Sequence, residues 1–383
     1  MSWRKSDAKE QKILFIADWL KEEFSITELC NHYGVSRKTA YKLINRYNAE
    51  KEKAFEERSR ARHFICNEVS PMIVRELVKL KYKYPYFGPV KLRNWFNRNK
   101  PQEKWPAAST IGEILKKHGL VKARKYRRKV PPYTQPFSSC DYANQSWSAD
   151  FKGQFRLGNN KYCYPLTVTD NYSRFLLGCD GMYRPTLKET RNYFEKIFYR
   201  YGLPEVIKTD NGSPFAGRGI GGLSQLSIWW LKLGIIPERI DAGCPEQNGR
   251  HERMHRTLKE ATTKPPKKNL LNQQQRFDDF KQEYNHERSH EALDNKCPGD
   301  VYQSSPRPFP NRIPEIYYPD HFEIRQVRSN GEIKLKGKRY YLTDLLYGEP
   351  IGIEIIENEK AIIHFAKLKL GVIDFKEGKI VRL

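Results

Sequence analysis

Residues 147–153 read WSADFKG, and their alternation decides the fold. Trp147, Ala149 and Phe151 fall on one face of an extended segment, which leaves Ser148, Asp150 and Lys152 on the other. This predicts a strand with one apolar face and a carboxylate on its polar side. Further along, VIKTDNGSPFA (206–216) opens with the short apolar run Val206-Ile207 and places Asp210 just before an Asn211-Gly212 turn signal. A buried strand there would deliver Asp210 to its carboxyl end, where α/β sheets place their chemistry. A third acid lies in NGRHERMHRTLKE (248–260), which predicts a helix starting near Asn248. Glu252, His255, Arg256 and Lys259 are spaced i, i+3, i+4 and i+7, so one acid shares a helix face with three basic or polar groups.

Three carboxylates in one place would repel one another and push their pKa values up. A hard cation such as Mg²⁺ resolves that conflict, because it takes carboxylate, water and phosphate oxygens. Two such ions about 3.5–4 Å apart can clamp the attacking and leaving oxygens of a phosphoryl displacement. Taken singly, each acid is more simply an ordinary strand-end, turn or helix-surface residue. The ordered set, with its flanking residues, makes that bland reading improbable.

The set resembles the integrase domain of insertion-sequence transposases, in the retroviral-integrase superfamily with its Asp-Asp-Glu triad. The matching residues are Trp147 to Asp150, Thr169-Asp170-Asn171-Tyr172-Ser173-Arg174, Thr209-Asp210-Asn211-Gly212 and Pro245 to Lys259. Tyr284-Asn285 through Arg288, His290, Ala292-Leu293 and Pro298 match as well. The resemblance implies Asp150, Asp210 and Glu252 as catalytic residues and ligands of two Mg²⁺ ions, with Mn²⁺ as a substitute. It also implies DNA contacts from Lys259, seven positions after Glu252, and from Asn211, His255 and Arg256. Asp170 is assigned a supporting place in its turn, and Glu246 a loop before the helix. Two features depart from the family: the 42 positions between Asp210 and Glu252, with the extra length expected in Ala216 to Gly222, and Ser289 in place of a proline.

Around this core the remaining signals fall into order. Asn159-Asn160 separates the Asp150 strand from Tyr162 to Thr169, and a turn at Asn171-Tyr172-Ser173 precedes a strand over Arg174 to Cys179. A helix over Leu187 to Tyr201 then leads to the Asp210 strand, the order of an RNase H-like fold. The helix Leu223 to Leu233 carries Trp229 and Trp230, read as core packing. His251, His255, His286 and His290 raise zinc, but no cysteine pair accompanies them.

The chain has 383 residues and a net charge of +24, and residues 1–140 hold 31 Lys and Arg against 14 Asp and Glu. So +17 of the excess sits in the first third, the footprint of a polyanion binder. No apolar run approaches the ~18 residues of a membrane span, and the charged start is unlike a signal peptide, which favours nucleic acid over a membrane partner. Seven scattered cysteines fit a reducing cytoplasm. Residues 11–23 have helical periodicity. Ser25 and Glu28 form a capping-box pattern, Gly34-Val35-Ser36 makes a tight turn, and Ser36 to Tyr47 is a third helix. Its early residues Arg37, Lys38, Thr39, Tyr41 and Lys42 suit phosphates and base edges; a purely structural three-helix domain is the alternative.

A second such unit is expected from Pro71 to Tyr84, from Gly88-Pro89 to Asn99, and from a Ser109-Thr110 cap to His118-Gly119. The run KARKYRRK, with Lys122, Arg124, Lys125, Arg127, Arg128 and Lys129, reads as a linker on DNA phosphate or a basic hinge. Pro131-Pro132 marks the core boundary. From Pro314 on, strands are expected at Phe322–Val327, Glu332–Leu335, Lys338–Leu342, Ile351–Ile356 and Ala361–Phe365, with Asn-Gly and Gly-rich turns between. A small SH3-like β-barrel fits. Its Lys334, Lys336, Lys338 and Arg339 could reach DNA, or the barrel could serve structure alone.

The expected organisation is multidomain α+β. A helix-turn-helix domain (1–60) and a second similar domain (61–121) precede a basic linker (122–138). An RNase H-like integrase core (139–305) and a C-terminal β-barrel (314–383) follow. The expected activity is DNA transposition by a polynucleotidyl transferase acting on double-stranded transposon ends and target DNA. It would work as a DNA-bound homo-oligomer in a prokaryotic cytoplasm, associated with the nucleoid. The alternatives are a DNA-binding regulator with an inactive core and a plain RNase H-like nuclease.

Overall fold

A computed structural model describes residues 8–57, 68–121, 140–217, 220–240, 249–357 and 359–382. The expected linker 122–138, and Pro245, Glu246 and Asn248, lie outside the described residues. The chain divides into two compact units, Met1–Glu68 and Val69–Leu383.

The first unit is built from α1 (Ala8–Leu20), α2 (Ile26–Tyr33) and α3 (Arg37–Glu50). The Ser25 hydroxyl accepts the Glu28 N–H while the Glu28 carboxylate accepts the Ser25 N–H, which closes the expected capping box. Gly34 ends α2 at φ 62, a left-handed conformation that costs glycine little, and Ser36 then caps α3. Phe15, Ile16, Leu29, Val35, Ala40, Leu43 and Ile44 make its small core. Arg37, Lys38, Tyr41 and Lys42 stay exposed on α3, while Thr39 is half-buried and bonded to Ser36.

The second unit begins with α4 (Pro71–Lys83), α5 (Pro89–Asn99) and α6 (Ala108–Lys117). The start of α6 corrects one expectation: its N-cap is Ala107, with no side-chain cap bond, and Ser109 and Thr110 lie inside the helix. The chain enters through Pro106, so the first turn needs no polar cap to set its direction. Helix α5 faces residues 287–300, near the end of the core. Arg98 forks onto Asp300 at 2.6 and 2.8 Å, Asn94 donates to Ser289 Oγ at 3.1 Å, and Trp95 donates to Glu287. Ser289, the family departure, thus meets a donor that a proline could not have satisfied.

The core sheet contains β1 (Ser146–Phe151), β2 (Phe155–Arg156), β3 (Tyr162–Asp170), β4 (Leu176–Met182), β5 (Val206–Thr209) and β6 (Ile236–Arg239). Strands β4, β3 and β1 are antiparallel neighbours, β5 and β6 continue parallel to β1, and the short β2 pairs with the start of β3. Helices α7 (Leu187–Tyr201) and α8 (Gln225–Lys232) cover one face; α9 (Gly249–Thr262) and α10 (Leu270–Gln282) cover the other. The alternation in β1 sends Trp147 and Ala149 into the α7–α8 layer, together with Leu166 and Val168 of β3. Each large side chain removed from water there contributes about 1.5–3 kcal/mol. The opposite registers, Ser148 and Asp150 on β1 and Thr167 and Thr169 on β3, are left for α9. Trp229 and Trp230 are core residues, as expected.

The last region has a sheet of β7 (Glu323–Gln326), β10 (Pro350–Glu357), β11 (Lys360–Phe365), β12 (Leu368–Asp374) and β13 (Lys379–Arg382), plus a hairpin of β8 (Glu332–Leu335) and β9 (Lys338–Tyr341). The hairpin lies against both edge strands, β8 beside β7 and β9 beside β13, which closes the strands into a small barrel. Its core includes Ile220 from the expected insertion, Leu223 just after it, and Ile228 and Leu231 of α8. Helix α8 is therefore apolar on both sides, facing the core sheet with its tryptophans and the barrel with Ile228 and Leu231.

Candidate active site

Strand register brings two of the acids together. Strands β1 and β5 are parallel and pair Ser146 with Val206, Trp147 with Ile207 and Ser148 with Lys208. Following that register leads to Asp150 at the end of β1 and to Asp210 just past the end of β5, and the Asp210 charge acts on Asp150. The Asp210 carboxylate accepts the Gly212 N–H at 3.1 Å, so the Asn-Gly turn folds back over its own acid. A Cβ on Gly212 would come within 3.1 Å of Asp210 Oδ2, which favours glycine there. The Asn211 amide donates to the Ile240 carbonyl at 2.9 Å and holds the loop to the end of β6. Glu252 is exposed in the first turn of α9.

Asp150 registers this company. Burial pushes its carboxyl up to about 7, the Asp210 charge adds to the effect and Glu252 contributes too, while Lys152 opposes them. Lys152 is itself held down, first by burial and then by Lys259. The charges of Asp210, Glu252 and Lys152 therefore converge on Asp150, and that of Lys259 on Lys152. Lys259 and Arg256 are exposed on α9, positions suited to a polyanion.

His255 is a correction. It was expected at DNA, but its side chain is only 6% exposed and turns inward onto Thr167. A ring so covered offers no surface to a duplex. His251, one turn earlier, is equally buried, and the two rings meet edge to face with centroids 4.5 Å apart. With Asp150 they form a group of three candidate metal-ligand atoms within 4.8 Å of one another. His286 and His290, the pair whose i, i+4 spacing raised zinc, belong to no such group among the described residues.

A cleft of about 470 Å³ opens beside α9, lined by Arg174, Arg253, Arg256, Arg288, His290 and Tyr284 among others. Arg288 Nη1 and His290 Nε2 are buried there without a hydrogen-bond partner. Burial holds His290 neutral, with its pKa down at about 3. Sequence reading placed Arg256 near DNA and quoted Arg174 and Arg288 as family matches, but it gave no role to them or to Arg253, which come from separate elements. It also missed Thr167, whose only sequence signal is its alternation with Leu166 and Val168.

The chain matches known proteins over several stretches. Residues 141–245 and 233–298 match the integrase core domain, and residues 11–63 match a helix-turn-helix domain. The Pol polyprotein of radiation murine leukemia virus is 32% identical over 118 residues, 31% of this chain and 19% of that protein. The Gag-Pol polyprotein of gibbon ape leukemia virus is 28% identical over 203 residues, 51% of this chain and 11% of that protein. The chain thus spans a fifth or less of these relatives. Among solved structures, the magnesium complex of the HTLV-2 integrase catalytic core domain is 16% identical at TM-score 0.35, covering 43% of this chain and all of that one. A chain of the simian T-cell lymphotropic virus intasome in complex with PP2A regulatory subunit B56 gamma is 17% identical at TM-score 0.38, covering 76% of this chain and 97% of that one. Over these stretches the chain is similar to a helix-turn-helix domain and to the integrase core domain of retroviral polyproteins.

Proposed function

We propose that the protein is the transposase of an insertion sequence, which binds the element's terminal inverted repeats, cleaves 3′ ends and transfers them into target DNA. The observation that supports this is the parallel β1–β5 register, which runs toward Asp150 and Asp210, together with the charges of Asp210 and Glu252 acting on Asp150. A buried carboxyl pushed up by the charges of two neighbouring acids suits a hard divalent cation, and Asp150, Asp210 and Glu252 would hold it, as two Mg²⁺ or two Mn²⁺ ions. Bound ions would supply Lewis-acid stabilisation and water activation for in-line phosphoryl displacement.

The chain's own side chains do the rest. Lys259 and Arg256 hold the DNA backbone at the site, and the Asn211 loop shapes its rim. Arg37, Lys38, Thr39, Tyr41 and Lys42 of α3 dock on the element's ends, with Lys122, Arg124, Lys125, Arg127, Arg128 and Lys129 adding phosphate contacts. The domain division given above, 1–60, 61–121, 122–138, 139–305 and 314–383, assigns end binding to the first three parts and chemistry to the fourth. Water opens the phosphodiester and exposes a 3′-hydroxyl, which then attacks target DNA; no covalent enzyme intermediate is required. Two ends must be processed together, so the working form is a DNA-bound homo-oligomer. No helix among the described residues is long and apolar enough to cross a membrane.

The test is Asp150→Asn in a strand-transfer assay on DNA carrying the element's ends. End binding should survive and Mg²⁺-dependent cleavage should fall to background. Cleavage that persists would refute the assignment. Wild-type protein that binds ends but never cleaves would instead indicate a regulator with an inactive core, and cleavage without joining would indicate a plain nuclease.

A further inference from the structure

Thr167 is the point where three polar atoms meet one hydroxyl. Its Oγ1 lies 3.1 Å from the Asp150 carbonyl oxygen and 2.7 Å from Nε2 of both His251 and His255. A hydroxyl has one proton to donate and two lone pairs to accept with. The carbonyl can only accept, so it receives the Thr167 proton. Both Nε2 atoms must then be the N–H donors.

Both rings are buried, with Nε2 as the protonated nitrogen. A neutral imidazole with its proton on Nε2 carries a bare lone pair on Nδ1. In His251 that lone pair accepts the Thr169 hydroxyl at 3.1 Å. In His255 it faces Asp150 Oδ2 at 3.8 Å. The gap is too long for a hydrogen bond. Two metal–ligand bonds of about 2.1 Å can bridge it.

We propose that His255 Nδ1 is a metal ligand: with Asp150 Oδ2 it holds one divalent cation in a mixed nitrogen–oxygen sphere that favours Mn²⁺ over Mg²⁺. Imidazole suits transition metals, whereas Mg²⁺ keeps to oxygen. Thr167 is the outer partner that fixes the ring's tautomer, as hydrogen-bonded neighbours of metal-binding histidines do. The inference rests on the reading of Asp150 as a cation ligand and adds a donor to it.

Pulsed electron paramagnetic resonance of the full-length chain loaded with Mn²⁺ reads the donor directly, through nuclear modulation from a coordinated nitrogen. Wild-type protein should show that modulation, and labelling with ¹⁵N-histidine should change it. His255→Asn, checked for folding by its melting curve, should still bind Mn²⁺ but lose the modulation. Thr167→Val should weaken Mn²⁺ binding about 10- to 100-fold and Mg²⁺ binding less. Asp150→Asn should abolish the bound species. If wild-type protein binds Mn²⁺ without nitrogen modulation, or His255→Asn retains it, the ligand assignment is overturned while the carboxylate reading stands. If wild-type protein binds no Mn²⁺, or Asp150→Asn binds it unchanged, both fail.

Discussion

The antiparallel ladder of β1 and β3 carries an aspartate at each end, and the two have opposite surroundings. At one end Asp170 lies across from Trp147; at the other Asp150 lies across from Thr167. Asp170 is fully buried and receives the Asn144 N–H at 2.8 Å, the Ser173 N–H at 2.8 Å and the Ser173 hydroxyl at 2.5 Å. Burial raises its pKa and these donors restrain the rise. Asp150 is raised by burial too, but its next neighbour in effect is another acid, Asp210. One carboxylate fastens a turn, and the other is left in an arrangement that a cation would relieve. Neighbours, more than burial, separate the structural acid from the proposed cation ligand.

The comparison breaks most visibly at Asp170. Asp170→Ala leaves three donors facing a void, each costing about 1–3 kcal/mol when buried unpaired. Urea unfolding should show a loss of about 3 kcal/mol or more. An unchanged midpoint would mean that the turn does not depend on this acid.

Asp150→Asn should do the reverse when EDTA removes divalent cations. A carboxyl raised from 3.8 to about 7 in the folded state favours folding only while protonated. Its contribution is present below about pH 4 and is lost as pH rises through 7. At about 1.4 kcal/mol per pKa unit the ceiling is roughly 4 kcal/mol, and partial exposure lowers it. The variant should therefore melt higher than wild type at pH 8, by about 2 kcal/mol, and the difference should shrink toward pH 4. Saturating Mn²⁺ should narrow the gap at pH 8. A difference independent of pH would detach Asp150 from its acidic neighbours.

The two ends also differ in what the sequence reveals. Local pattern was enough for β1, the Ser25–Glu28 capping box, α7 and the strand leading to Asp210, because alternation, caps and turn residues act within a few positions. It missed β12 and β13, where lysines and glycines interrupt the apolar alternation and exposed edge positions weaken the signal. It also missed what depends on distant partners. Thr167 meets His251 and His255 across 84 and 88 positions, and Arg98 meets Asp300 across 202. Helical spacing placed His255 on the same face as Glu252, but it could not show that this ring turns into the sheet. Only the packing of α9 over the Thr167–Thr169 face decides that.

The smallest expected effect tests whether the two ends are independent. The Asn171 side chain spans the Asp170 end of the ladder: Ser148 Oγ donates to its Oδ1 at 2.9 Å, and its Nδ2 donates to Ser146 Oγ at 3.0 Å. The backbone bond from Asn171 N–H to the Ser146 carbonyl, 2.9 Å, would survive truncation. Asn171→Ala should therefore cost only about 1 kcal/mol, read as a small shift of the urea midpoint. Ser148 is two residues from Asp150 on the same face of β1, so any mechanical link between the ends should run through it. If the ladder is as rigid as its continuous pairing from Trp147 to Phe151 implies, Mn²⁺ affinity should stay within about twofold of wild type, below 0.5 kcal/mol. A tenfold loss would mean that the turn held by Asp170 also sets the position of Asp150, and the division between a structural end and a chemical end would not hold.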